Sequence, residues 1–178
     1  FQWRPAIGEF QGKFLSVFDG IRRANETLTL INGNEVLEDD VRNRLTGEAL
    51  FLRAHFHADA YKIWKNVPFF DELETEFRKP NDQAILPLIV AYFERAADLL
   101  DETAPDIGRA TSGAANAMLG RLHMIAGDMA SAKTALDKVE NSNRYELQDC
   151  FHEMFSVGGE NGSEMIFSTQ ATVNDGDP

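Results

Sequence analysis

The chain has 178 residues, room for one domain and too little for two of ordinary size. With 43% hydrophobic and 26% charged residues it is too apolar to remain disordered. Its formal net charge of −12 repels nucleic-acid phosphates and anionic lipid headgroups, so no nucleic-acid partner is expected. One cysteine, Cys150, rules out an internal disulfide, and no apolar run reaches membrane-spanning length. The opening without Met and the ending TVNDGDP read as those of a portion of a longer chain, so the presence of a targeting segment is left open.

Residues 1–10 hold the breakers Pro5 and Gly8 and are expected to be irregular. A helix is predicted from about Glu9 to Ile31, with Phe14, Leu15, Phe18, Ile21, Leu28 and Ile31 as its apolar stripe. Gly20 weakens that helix, and close packing of a second helix would account for it. Asn32-Gly33-Asn34 is a turn. A second long helix follows from about Asp39 to Trp64, with Leu45, Ala49, Leu52, Phe56, Ala60 and Ile63 on one face. Pro87 would break an early turn of the third helix, so its regular part should begin near Leu86.

Gly108 to Val139 reads as two short helices around a Gly-Asp turn. The first spans about 111–126, capped by Thr111, with Ala115, Met118, Leu119, Leu122 and Ile125 at helical period. Gly127 suits a left-handed helix stop, and Asp128 or Ser131 can cap the second helix, which presents Ala132, Ala135, Leu136 and Val139. Ala115, Gly120 and Ala132 are small enough for two helices to approach closely. Leu119, Gly120, His123, Gly127, Asp128, Ala132, Leu136 and Val139 fall in step with the 34-residue tetratricopeptide (TPR) consensus, with His123 where an aromatic is usual. Tyr145 to Phe155 reads as a shorter helical stretch. Glu164 to Gln170 reads as a strand without a partner, unless Phe1 to Arg4 supplies one.

Candidate chemistry is sparse. His55 and Asp59 share a helix face and His57 does not, so His55-Phe56-His57 reads as a polar face beside the core rather than a metal site. Cys150 and His152 read as a half-buried thiol and its neighbour. Glu38-Asp39-Asp40 and Asp71-Glu72 read as solvated acids and helix N-terminal charges, and no acid stands in an apolar setting that would raise its pKa. No catalytic residue, metal site or cofactor is expected. Trp64, Phe69 and Phe70 read as packing residues; Trp3, in an irregular segment, is the one residue put forward for ligand contact.

Six segments in order resemble one family. Gly47 to Phe70, GEALFLRAHFHADAYKIWKNVPFF, is similar to the "EA-x-FLRA … Y … G-D-V-P" segment of SusD/RagB proteins. Val17 to Leu28 resembles their "Y-x-G-I-x-x-A-N", Ile89 to Ala97 their "I-x-x-D-L-x-x-A", and Gly108 to Ala132 their "GRAT" repeat. RYEL (Arg144 to Leu147) and SEMIF (Ser163 to Phe167) follow in order. Lys65-Asn66 departs from the usual Gly-Asp, Tyr92 stands where an acid is common, and Phe18 replaces a frequent Tyr. The resemblance implies an all-α fold of stacked antiparallel helix pairs, TPR-like, with residues 1–178 as a single helical domain cut from a longer protein. It further implies oligosaccharide capture without catalysis, and a SusC-like TonB-dependent transporter as partner. The implied location is the external face of the outer membrane, reached by a lipid anchor outside this chain. The competing reading is a TPR scaffold for protein partners with no glycan ligand.

Overall fold

The computed structural model describes residues 8–76 and 78–170. Five α-helices run in order: α1 (Gly8–Asn32), α2 (Asp39–Trp64), α3 (Leu86–Leu99), α4 (Ser112–Ala126) and α5 (Met129–Asn141). Each packs on the next in sequence, and no strand occurs among the described residues. This is the all-α stack of helix pairs expected of the TPR type.

The helix ends follow their local chemistry. Arg42 donates to the Ile31 carbonyl at the end of α1 (2.7 Å), placing a cation where the helix dipole is negative. At α3 the amides of Leu88 and Ile89 both reach the Ile85 carbonyl, so Pro87 falls in the first turn, where its missing N–H costs nothing. Thr111 Oγ1 accepts from the Ala114 amide (3.2 Å), capping α4. Gly127 closes α4 at φ 84°, and Asp128, one of the two expected caps, starts α5 by accepting from the Ser131 amide.

Small residues set the helix spacings. A Cβ on Gly20 would lie 2.4 Å from the Phe56 ring, so the glycine admits α2 against α1. A Cβ on Gly120 would lie 2.6 Å from Leu136 Cγ, across the α4–α5 contact where Ala132 is buried. Replacing Ala132 with Leu is expected to cost about 1–3 kcal/mol by overpacking this contact. A urea midpoint and slope both equal to those of the parent would show that the two helices are not so closely seated.

Burial departs from the expected stripes where a helix has more than one neighbour. α2 is clasped by both α1 and α3, so its buried set runs through Gly47, Ala49, Leu50, Phe51, Arg53, Ala54, His57 and Ala60. The single face expected for it does not hold: Leu52 and Ile63 are 40% and 41% exposed. Ile125 and Leu136, taken as core-facing, and Phe14 and Leu15 are also exposed.

The C-terminal expectations need two corrections. The stretch from Tyr145 to Phe155 holds only a one-turn 3-10 helix at Glu153–Phe155. Its backbone donors are drawn elsewhere: Glu146 N–H goes to the Ser163 carbonyl and Gln148 N–H to a Glu164 carboxylate oxygen. The segment from Glu164 to Gln170 is irregular rather than a strand, since no neighbouring ladder forms among the described residues. It is held instead by its apolar side chains, with Ile166 and Phe167 packed on the core and the Phe167 ring 4.9 Å from that of Phe51. Phe1 to Arg4 lie outside the described residues.

Candidate functional site

Arg53 is the polar centre of the helical stack. It sits mid-helix in an otherwise apolar run of α2 and is 1% exposed. Burial of a guanidinium demands partners on all sides. Nη1 donates to Asn25 Oδ1 on α1 (3.0 Å) and to the Glu72 carboxylate in the loop after α2. Its Cζ lies 3.9 Å from the centre of the Tyr92 ring on α3, a cation–π contact. Asn25 uses its other end to donate to the Phe70 carbonyl (3.2 Å). One arginine thus joins α1, α2, α3 and the loop that follows α2.

A series of ring contacts extends the anchor. His57, one turn beyond Arg53, stacks on Phe69 with centroids 4.4 Å apart. Phe69 lies 5.6 Å from Tyr92 and nearly parallel to it. His57 Nδ1 meets the Arg53 carbonyl at 3.0 Å. Burial pushes the His57 imidazole down to about 4, so it is neutral at physiological pH and packs as an aromatic. Burial acts to raise the Glu72 carboxyl, but the hydrogen bond and charge of Arg53, together with a backbone hydrogen bond and the Arg95 charge, hold the group below the usual carboxylate range. Glu72 therefore stays ionised as a structural counter-charge, which is the wrong state for a general acid.

The anchored loop walls a hollow of about 750 Å³ beside α1. Phe18, Ile21, Leu30 and Phe70 line it, with Asn25 and Glu26 among its polar groups. An apolar concavity with a few convergent polar groups is the usual form of a small-molecule site. The arrangement offers ring faces and hydrogen-bond partners for binding. Among the described residues no group of three or more His, Cys, Asp or Glu is placed to hold a metal ion.

The sequence candidates fall out as follows. Trp3 lies outside the described residues. Trp64 packs edge-on against Phe14 at 5.2 Å, and Phe69 is buried, as expected of packing residues. His55 is half-buried and stacks on Phe51. Cys150 is exposed rather than half-buried. Asn25 opens a triplet of the glycosylation type, Asn25-Glu26-Thr27, but both its amide atoms are engaged inside the fold. Arg53 was not singled out by sequence; a lone Arg inside LFLRAHF was the available signal. His57, read as part of a polar face, is instead fully buried, and Glu72, read as a solvated acid, is the half-buried partner of Arg53.

Two departures from the family segments gain a physical account. Tyr92, where an acid is common, offers its ring face to Arg53, and Glu72 supplies the carboxylate from the loop. Lys65, where Gly is usual, is forced to φ 62° and ψ −98° at the end of α2. A side chain is strained there, and its ammonium lies 4.9 Å from the centre of the Tyr61 ring. Replacing Lys65 with Gly is expected to raise stability by about 1 kcal/mol, since relief of strain outweighs the lost cation–π contact and the added chain freedom. Thermal melts of the two proteins test this; a lower midpoint in the glycine variant would contradict it.

The fold and its anchor define a TPR-type helical stack built to hold loops, and comparison with known proteins specifies which. A family model described as "Starch-binding associating with outer membrane", SusD-like, matches residues 2–124. The chain belongs to this SusD-like family. A SusD-like protein of Formosa agariphila is 31% identical over an alignment of 138 positions that covers 68% of this chain and 27% of that protein. The solved structure of a SusD superfamily protein from Bacteroides vulgatus is 27% identical with a TM-score of 0.82, covering 90% of this chain and 36% of that one. A laminarin-binding SusD-like protein is 26% identical with a TM-score of 0.78, covering 87% and 36%. The chain thus spans about a third or less of the length of these relatives.

Proposed function

We propose that this chain is the helical portion of a receptor that binds an oligosaccharide at the bacterial cell surface and does not cleave it. The observation that carries the reading is the family match over residues 2–124, whose description is starch-binding. A relative described as laminarin-binding supports a glucan-type ligand. The helices act as scaffold, and the Arg53 anchor holds the loop that walls the aromatic hollow. Residues 1–178 form one helical domain in this reading, and Trp3 contributes a sugar-stacking face.

The receptor is held on the external face of the outer membrane by a lipid anchor. It passes its ligand to a SusC-like TonB-dependent transporter. No helix among the described residues is long and apolar enough to cross a membrane. Calorimetry of the full-length protein against laminarin and starch oligosaccharides, with product analysis of each mixture, tests the proposal. Binding without new reducing ends is the expected result. Released shorter sugars would overturn the non-enzymatic claim. Absence of binding across the panel, with a tight protein partner in its place, would favour a TPR scaffold.

A further inference from the structure

The register of the helix pair draws attention to Asn116. With Leu119-Gly120 aligned to the TPR consensus, Asn116 falls on the position of the repeat's Trp and His123 on that of its Tyr. Two large rings are thus replaced by smaller polar side chains. α3 and α5 both pack on α4 but not on each other, which leaves a trough along α4 between them. Two hollows of about 400 Å³ and about 230 Å³ lie in it, and Asn116, Asp98 and Lys138 line both.

Asn116 is 7% exposed and its amide is half satisfied. Nδ2 donates to the Ser112 carbonyl at 2.9 Å, which fixes Oδ1 as the remaining end. Oδ1 has no partner among the described residues. A buried acceptor left in this state is costly, and a donor entering the trough would relieve it.

We propose that this trough is a second, weaker subsite for a polyhydroxylated ligand, a stretch of glycan a few sugar units long. The inference rests on the oligosaccharide-binding reading and extends it to the helical scaffold. Glu94 and Asp98 on α3 supply acceptors, and Lys138 with Ser131 and Thr134 on α5 supplies donors. None of Glu94, Asp98 and Lys138 is engaged in an ion pair among the described residues. A cationic ligand would meet Lys138, and an anionic one would meet the two carboxylates. A sugar hydroxyl both donates and accepts, so neighbouring hydroxyls can give to Asn116 Oδ1 and Asp98 while accepting from Lys138. Ala97, Leu119 and Ala135 leave an apolar strip for the C–H face of a ring. Tyr145 lines the smaller hollow, its hydroxyl 3.3 Å from Thr111 Oγ1, and its ring adds to the apolar surface there.

The test uses the full-length, 15N-labelled protein with laminarihexaose and maltohexaose as probes. The side-chain amide signal of Asn116, assigned by its loss in Asn116→Ala, should shift saturably with at least one probe. Lys138→Met should weaken that response about tenfold, as expected for one lost charged hydrogen bond. Asn116→Trp refills the hollow with the consensus ring; it should keep the native circular dichroism and abolish the weaker calorimetric phase while leaving the stronger. An Asn116 signal that stays still while calorimetry reports glycan binding overturns the subsite and leaves the oligosaccharide reading intact. Neither heat nor shift with any glycan overturns both.

Discussion

Replacing Arg53 by Ala is expected to lower the unfolding free energy by about 3–5 kcal/mol. The substitution removes a buried guanidinium that serves three helices and a loop at once. Asn25 Oδ1 loses its donor, the Glu72 carboxylate loses its counter-charge, and the Tyr92 ring loses its cation. Glu72 reaches closer to solvent than Arg53, so it can be rehydrated once unpaired. Glu72→Ala leaves the charge stranded at the buried end and should be damaging as well, while the double substitution should cost less than the sum of the two. Urea denaturation of the four proteins gives the coupling directly. An Arg53→Ala midpoint close to the parent's would show that the anchor is incidental to the fold. The loop after α2 should respond first: its amide exchange should quicken in the variant, because Asn25 and Arg53 are what tie it down.

Acid should weaken the protein in two separate windows, with His57 responsible for the first. Burial lowers its folded value to about 4 from the ordinary 6.5. As pH falls below about 6.5 the unfolded imidazole takes up a proton that the folded one refuses, so stability declines until the folded group titrates near 4. The loss over that window is about 3 kcal/mol. His55, lowered chiefly by burial, adds to the decline in the same direction. Glu72 acts later: its folded value lies below the ordinary 4.5, so its contribution is present above that pH and lost as pH falls through the folded value. Stability curves from pH 7 to pH 3.5 should therefore slope before any carboxylate titrates. A His57→Leu variant should retain only the shallower part due to His55. A parent curve flat between pH 6.5 and 5 would show that the His57 ring is not held neutral in the fold.

The sequence alone determined the elements whose signals are local. The bounds of α2, the start of α3 after the Pro87 constraint and the left-handed stop at Gly127 were all legible, because each depends on a few adjacent residues. The close approach at Gly20 and Gly120 was legible too, since a missing side chain inside a helix is costly without a neighbour to justify it. The ordered segments carried the family. What only the tertiary structure decided is which polar groups are enclosed. Arg53, His57 and Asn116 look alike in sequence to exposed helix residues, because burial depends on how many helices surround a face and not on the face itself. α2 shows this most clearly: with neighbours on two sides its core spreads past one stripe, and Leu52 and Ile63 are turned out. The tail from Tyr145 onward was misread for the complementary reason. Its helix and strand propensities were real, but its backbone donors found partners some sixteen residues away in sequence, at Ser163 and Glu164, and a pairing across that distance leaves no local trace.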